Sequence, residues 1–288
     1  MYLFWGEIML DLLIDALLDT LKLLPYLLIT FLILEFIEHK LSEKNQKLLI
    51  KNKKYGPFIG GILGALPQCG FSSMAASLFS SRVITIGTVV AVFLSTSDEM
   101  IPIMIGEHAS ILLLLKIVGF KTVIGIFAGI IIDIIFNKKV KNLSENISLM
   151  CEEENCSCDE DGVILSSIKH TLKIGLFILI ANLLISFVIN KIGVDNLSNI
   201  LVNENILTYF LASILGLIPN CASSVIMTKL YLSELISMGV LLSGLLTGSG
   251  IGILLLFREN KNIKENIFIL SIVYLVGVFV GILVDLIV

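Results

Sequence analysis

Charge is scarce in this sequence. Lys, Arg, Asp and Glu together make up 15% of its 288 residues, where a soluble domain carries about 25%. The few charges nearly cancel, with 20 basic and 24 acidic side chains, so no cationic field is present to hold nucleic acid. Histidine is scarcer still. His39, His108 and His170 are the three, and none stands in a His/Glu metal motif. No nucleophile–base pair is visible, which makes a membrane enzyme the weakest of the functional readings. No G-x-x-x-x-G-K-[ST] run occurs, so ATP would have to be supplied through a separate subunit, and nothing points to a cofactor. Five cysteines, three of them bunched together, do not make a secreted disulfide framework.

What is abundant is apolar surface. Hydrophobic residues account for 56% of the chain and the mean hydropathy is +0.98, more than one globular core can hide. Disorder is excluded by the same figures. Crossing the hydrocarbon core takes roughly 20 apolar residues, and runs of about that length lie at 21–37 with its flanks, 109–136, 172–189 and 267–288. The N-terminal stretch does not read as a cleavable signal, because it lacks a basic start and carries Glu7, Asp11, Asp15 and Asp19. The expectation is an all-α integral membrane protein, multi-pass, in the plasma membrane, with the lipid bilayer as its first partner. A homo-oligomer is compatible with the sequence.

The chain then repeats itself. Pro67-Gln68-Cys69 returns as Pro219-Asn220-Cys221, and at the same offset Gly64 meets Gly216, Ser72 meets Ser224, Gly87 meets Gly239 and Ser97 meets Ser249. Gly125, Gly129 and Asp133 line up with Gly277, Gly281 and Asp285. Thr20-Leu21-Lys22 matches Thr171-Leu172-Lys173 one residue out of register. Unrelated apolar helices share Leu and Ile, but they do not place Pro, Cys, Gly and Asp in step. This divides the chain into a first membrane repeat at 1–136, a cysteine- and acid-rich cytoplasmic linker at 137–165, and a second membrane repeat at 166–288.

Loop charge orients the copies. The stretch 40–54 holds six lysines against one acid, whereas its counterpart at 191–204 holds one lysine and two acids. The turn at 106–108 is not basic, but its counterpart at 258–265 carries Arg258, Lys261 and Lys264. Under the positive-inside rule the copies are inverted, an arrangement whose substrate site lies near the midplane. The spans expected are 8–38, a hairpin of two short helices at 56–81, then 83–105 and 109–136. The second copy repeats these as 171–190, 205–232, 235–257 and 266–288. That makes five helical pieces per copy, about ten in all, with broken helices in each.

The breaks are where chemistry can sit. Unpaired backbone at membrane depth is tolerated only inside protein or against an aqueous cavity. Pro67 and Pro219 each interrupt an apolar segment near its centre, and the helices that follow present open N–H groups. Beside them stand Gln68, Cys69, Gly70, Ser72 and Ser73 in one copy, and Asn220, Cys221, Ser223 and Ser224 in the other. A packed proline kink is the plain alternative. A second pair of breaks falls at Ser95-Thr96-Ser97-Asp98-Glu99 and Thr247-Gly248-Ser249-Gly250. Ionisable groups inside a membrane point to function, so Asp98 and Glu99 are candidates to carry a coupling proton or hold a cation; a position nearer the surface is the alternative. Asp133 and Asp285 lie near helix ends and do not read as ligands.

Cys69 and Cys221 occupy equivalent breaks, while Cys151, Cys156 and Cys158 stand among six carboxylates in the linker. Thiolates select soft ions, which makes all five candidate metal ligands. The linker is nonetheless a weak zinc motif, and an acidic solvated loop with incidental thiols reads equally well.

At these residues the chain resembles the ten-transmembrane heavy-metal exporter family, whose members are labelled arsenic efflux proteins or manganese transporters. More distantly, it resembles the organoarsenical efflux permeases. The carrying features are the run from Gly64 through Pro67-Gln68-Cys69-Gly70-Phe71-Ser72-Ser73, the following Ser95-Thr96-Ser97-Asp98-Glu99, and the echo at Pro219-Asn220-Cys221. The likeness extends over nearly the whole chain outside the linker. In the related permeases it implies that membrane cysteines engage trivalent arsenic, which maps here onto Cys69 and Cys221. Two membrane thiols suit a substituted trivalent arsenical better than inorganic arsenite, unless the linker supplies a third.

The leading expectation is a secondary exporter of soft metal or metalloid species. Cys69 and Cys221 are its ligands, the polar residues of the four breaks are its lining, and Asp98 or Glu99 couples it to protons. A hard-cation carrier, for manganese, would use Asp98, Glu99 and backbone carbonyls instead. An organic-anion permease would use the helix N-termini.

Overall fold

A computed structural model describes residues 14, 16–18, 20–22, 24–25, 27–29, 31–32, 55–66, 70–97, 100–136, 158–192, 201 and 205–287, without the side chains of 158–163, 166, 170, 186, 188–192, 221 and 222. The described positions between 14 and 32 have helical backbone. The first half continues with α1 (Gly56–Gly64), α2 (Gly70–Ser80), α3 (Ile86–Ser95), α4 (Met100–Gly106) and α5 (Ile111–Ile135). The second half holds α6 (Cys158–Ile192), α7 (Ile206–Gly216), α8 (Cys221–Leu232), α9 (Met238–Thr247), α10 (Gly252–Glu259) and α11 (Ile263–Ile287). No strand occurs among the described residues. Helix α6 begins at Cys158, inside the stretch read from sequence as linker.

Among the described residues five segments are long and apolar enough to cross a membrane: Ile86–Gly106, Ile111–Ile135, Ser167–Ile185, Met238–Glu259 and Ile263–Ile287. They fall into two classes. In Met238–Glu259, 89% of the apolar window is buried inside the protein, while in Ile111–Ile135 only 17% is. The segments formed by α3–α4 and α9–α10 are therefore the core. Helices α5 and α11 turn Leu112, Leu115, Phe127, Leu275 and Phe279 outward, toward lipid in an integral membrane protein.

The direction of each short helix follows from its neighbours. A Cβ on Gly60 would meet Val92 and Thr88 at 3.0–3.2 Å, and one on Gly64 would run into Ser95, so α1 lies parallel to α3. Gly87 abuts Gly129, while Gly125 faces Ala91 and Ser95, so α5 runs antiparallel to both. The chain thus descends along α1 to the level of Ser95, and α2 must climb back before α3 starts from the original side. Helices α1 and α2 therefore run antiparallel as the two arms of a hairpin. In the second half Ser213 reaches Ser243 and Gly216 abuts Gly244, which makes α7 parallel to α9 and α7–α8 the same kind of hairpin. Both hairpins close on the same turn. Arg82 (φ 60°) and Glu234 (φ 58°) take the left-handed conformation, and the following N–H groups, on Val83 and Leu235, return to Leu78 O and Leu230 O at 2.8 and 2.9 Å.

The start of each core span is built identically. Thr85 and Ser237 are N-caps, accepting from Thr88 N and Val240 N at 3.1 and 3.2 Å. Asp133 accepts from Thr85 Oγ1 (2.6 Å) and Gly87 N (2.9 Å). Asp285 accepts from Gly239 N and Tyr209 OH (each 2.8 Å) and from Ser237 Oγ. Each aspartate satisfies an N–H that a helix start leaves open, and its negative charge faces the positive end of the helix dipole. The two aspartates serve the scaffold. Bare glycine at 87 and 239 is a steric requirement, since a Cβ there would strike the carbonyl of Gly129 or Gly281.

The halves dock reciprocally. Helix α2 packs on α10, α8 packs on α4, and α3 meets α9 between them. Arg82, where the first hairpin closes, pairs with Glu265 at 2.5 Å and donates to Asn260 at 3.4 Å. Phe136, at the end of α5, packs edge-on against Phe268 near the start of α11 at 4.6 Å. The end of the first half that carries its hairpin mouth therefore lies beside the opposite end of the second half, the one joining α10 to α11.

Candidate functional site

Each core span is interrupted at mid-length. In the first, α3 ends at Ser95, and the backbone at Thr96 turns extended (φ −54°, ψ 128°). In the second, α9 ends at Thr247 and the chain passes Gly248 and Ser249 to Gly250, whose φ of 54° suits glycine. Hydroxyls tie these bends to the adjoining helix. Ser95 Oγ donates to Ala91 O at 2.8 Å, Thr96 Oγ1 to Val92 O at 2.7 Å and Ser97 Oγ to Ser95 O at 3.1 Å. Thr247 Oγ1 lies 2.9 Å from Ser213 O and within 3.1 Å of Ser243 O and Gly244 O. These hydroxyls spend their donor on backbone and keep acceptor capacity for a ligand.

The proline breaks come next to them. Ser72 and Ser73 are fully buried near the start of α2, and Ser223 and Ser224 are buried near the start of α8. Ser223 Oγ donates to Asn220 O at 2.9 Å. A Cβ on Gly252 would meet Ser72 at 2.8 Å, and one on Gly248 would lie 3.5 Å from Ser224 Oγ. The second half's glycine-rich break is thereby bordered by a serine from each hairpin. Ser249, fully buried there, has a hydroxyl with no hydrogen-bond partner among the described residues, a group that gains by meeting a polar ligand.

Of the residues singled out from sequence, Gly70, Ser72, Ser73, Ser95, Ser97, Pro219, Asn220, Ser223, Ser224, Thr247 and Ser249 lie at or beside these interruptions. Pro67, Gln68, Cys69, Asp98, Glu99, Cys151 and Cys156 lie outside the described residues, and the side chains of Cys158 and Cys221 are not described. Among the described residues no three His, Cys, Asp or Glu gather as a metal site.

One residue at the site escapes the sequence reading. Lys121, within α5, is 0% exposed and donates from Nζ to the carbonyl of Thr96 at the first break. It sits about 15 Å along the helix from Ile111, far from either end. The available signal is a cation deep in an apolar run, five residues beyond Lys116, whose counterpart in the repeat is Val273.

Together these features define a class: a polytopic, all-helical membrane protein of two matched halves, with paired interrupted helices meeting in its polar interior. The family model described as "Putative, 10TM heavy-metal exporter" matches residues 7–209, and the chain belongs to that family. The matched stretch contains the first-half breaks and the linker and stops short of Pro219-Asn220-Cys221. No curated protein and no solved structure matches the chain.

Proposed function

We propose that the protein is a secondary exporter of soft metal or metalloid species, with trivalent arsenicals the favoured cargo, acting in the plasma membrane. The observation that carries this reading is the reciprocal docking of α2 on α10 and α8 on α4. Each helix that follows a Pro-x-Cys sequence leans on the other half's tail, and Ser72 and Ser224, near the two helix starts, border the second half's interrupted core span. Cys69 and Cys221 are the soft ligands, Gln68, Asn220, Ser72, Ser224 and Ser249 complete the polar lining, and Asp98 or Glu99 couples movement to protons. The halves act as inverted repeats around this site. The contacts of Arg82 with Glu265 and of Phe136 with Phe268 support that sense, as does the basic charge shared by 40–54, 137–141 and 258–264.

The test is export of methylarsenite, arsenite, cadmium and manganese from a sensitive host expressing the wild type, Cys69→Ser, Cys221→Ser or both. Loss of methylarsenite export in either single variant is expected. Full protection by the double variant would remove the thiols from the mechanism. The manganese reading, with Asp98, Glu99 and backbone carbonyls as ligands, predicts silent serine variants and an inactive Asp98→Asn. Against it stands the Thr96 carbonyl, which already accepts from Lys121.

A further inference from the structure

Gly248, in the second half's break, is a glycine that neither backbone nor packing requires. Its φ of −73° and ψ of 82° suit any residue: with Ser249 N returning to Thr247 O at 2.9 Å, it centres an inverse γ-turn. Gly87, Gly216, Gly239 and Gly281 would each drive a Cβ into a neighbouring atom. A Cβ on the buried Gly248 would instead lie 3.4, 3.5 and 3.6 Å from its nearest described neighbours, at ordinary contact distance. All three neighbours are oxygens: Gly244 O, Ser224 Oγ and Leu245 O.

The first half shows what belongs in this place. Thr96 stands where the second half has Gly248, and its Oγ1 donates at 2.7 Å to Val92 O, the counterpart of Gly244 O. Both carbonyls keep a backbone donor at 3.0 Å, Thr96 N on Val92 O and Gly248 N on Gly244 O. The threonine side chain has no equivalent in the second half. One residue on, Ser249 is fully buried and its hydroxyl has no hydrogen-bond partner among the described residues. The negative end of the α9 dipole faces the same break. Of the carbonyls that a helix end leaves open, those of Leu245 and Leu246 receive no backbone N–H among the described residues.

Two carbonyls and two hydroxyls at the negative end of a helix make an uncharged, oxygen-only donor set. Soft ions need sulfur, and buried divalent ions need carboxylates to offset their charge. A hard monovalent cation needs neither, and unwound carbonyls with helix C-terminal ends are the sodium ligands of broken membrane helices. We propose that the second-half break binds a sodium ion through Gly244 O, Leu245 O, Ser224 Oγ and Ser249 Oγ, in the space beside Gly248 that Thr96 fills in the first half. The site does not involve the thiols. Its use as a coupling ion, in addition to any proton, rests on the exporter reading.

The test is made on purified full-length protein in detergent, by thermal midpoint in sodium, potassium or choline chloride at equal ionic strength and by equilibrium binding of radioactive sodium. The wild type should gain several degrees in sodium chloride alone. Gly248→Ala places a methyl where there is room for it, so its midpoint in choline chloride should match or exceed that of the wild type, while the sodium response disappears. Gly248→Thr, which copies the first half, should also lose the response. Ser249→Ala should weaken sodium binding at least about tenfold. A wild-type midpoint equal in all three salts would overturn the proposal and leave a bound water to satisfy these oxygens. An equal gain in potassium chloride, or a full sodium response in Gly248→Ala, would overturn it as well. No readout uses the cargo, Cys69 or Cys221, so failure of the arsenical reading and failure of this one are separable.

Discussion

The breaks at 95–99 and 247–251 occupy equivalent places in the two halves, follow equivalent capped helices, and solve different problems. The second is held open by Gly248 and Gly250, carries no charge, and leaves the Ser249 hydroxyl without a partner among the described residues. The first has acids in place of glycine and a lysine brought in from α5. The two halves share one scaffold. One of them carries ionisable residues at its break and the other a permissive backbone. Architecture and chemistry are separable here, since the aspartate caps, glycine contacts and left-handed turns are common to both halves whereas the ionisable groups are not.

That separation can be broken most severely by moving the charge. Val273→Lys places an ammonium in the second half with no acid to meet it, and is expected to cost about 3–5 kcal/mol, seen as loss of monodisperse protein on size exclusion. Adding Ile251→Glu should recover part of the yield. If Val273→Lys alone is tolerated, the second half is not the dry counterpart its composition implies. Gly87→Ala and Gly239→Ala come next. Each drives a methyl into the facing helix and should cost about 1–3 kcal/mol, equally in the two halves, by thermal unfolding.

The caps give a smaller and unequal effect. Asp133→Ala and Asp285→Ala each strip a helix start, at about 1–2 kcal/mol. Asp285 should be the costlier because it serves Tyr209, Ser237 and Gly239, whereas Asp133 serves Thr85 and Gly87. The smallest change separates the hairpin turns. Glu234→Gly relieves a left-handed residue that is exposed, and should raise stability by about 1 kcal/mol. Arg82→Gly relieves the same strain but forfeits the contact with Glu265, so its melting temperature should stay level or fall.

Much of the fold is legible in the sequence, because a few residue types have single uses. Pro67 and Pro219 recur in step, and Gly permits close approach, so these prolines with Gly87 and Gly239 mark the repeat. Asp133 and Asp285 are legible as helix-end residues. Their task as caps is not, since it depends on Thr85 and Ser237 lying about 50 residues away in sequence. Lys121 is overlooked for a related reason: 109–136 stays strongly apolar despite Lys116 and Lys121, and only the fold shows that Lys121 turns inward while Lys116 is exposed. The pairing of α2 with α10 and of α8 with α4 leaves no trace in periodicity or composition. It arises from matching surfaces across the whole chain, with Ser72 against Gly252 and Ser77 hydrogen-bonded to Glu259 at 3.1 Å.

That pairing has a mechanical corollary. Helices α2 and α10 run side by side from the buried breaks to the rim, joined at one end by a serine–glycine contact and at the other by Ser77 and Glu259, with Arg82 fastened just beyond. The moving parts are thus geared. A tilt of either repeat drags the other's tail with it, so the two cannot swing independently, and a covalent strap placed between positions 77 and 259 would seize both at once.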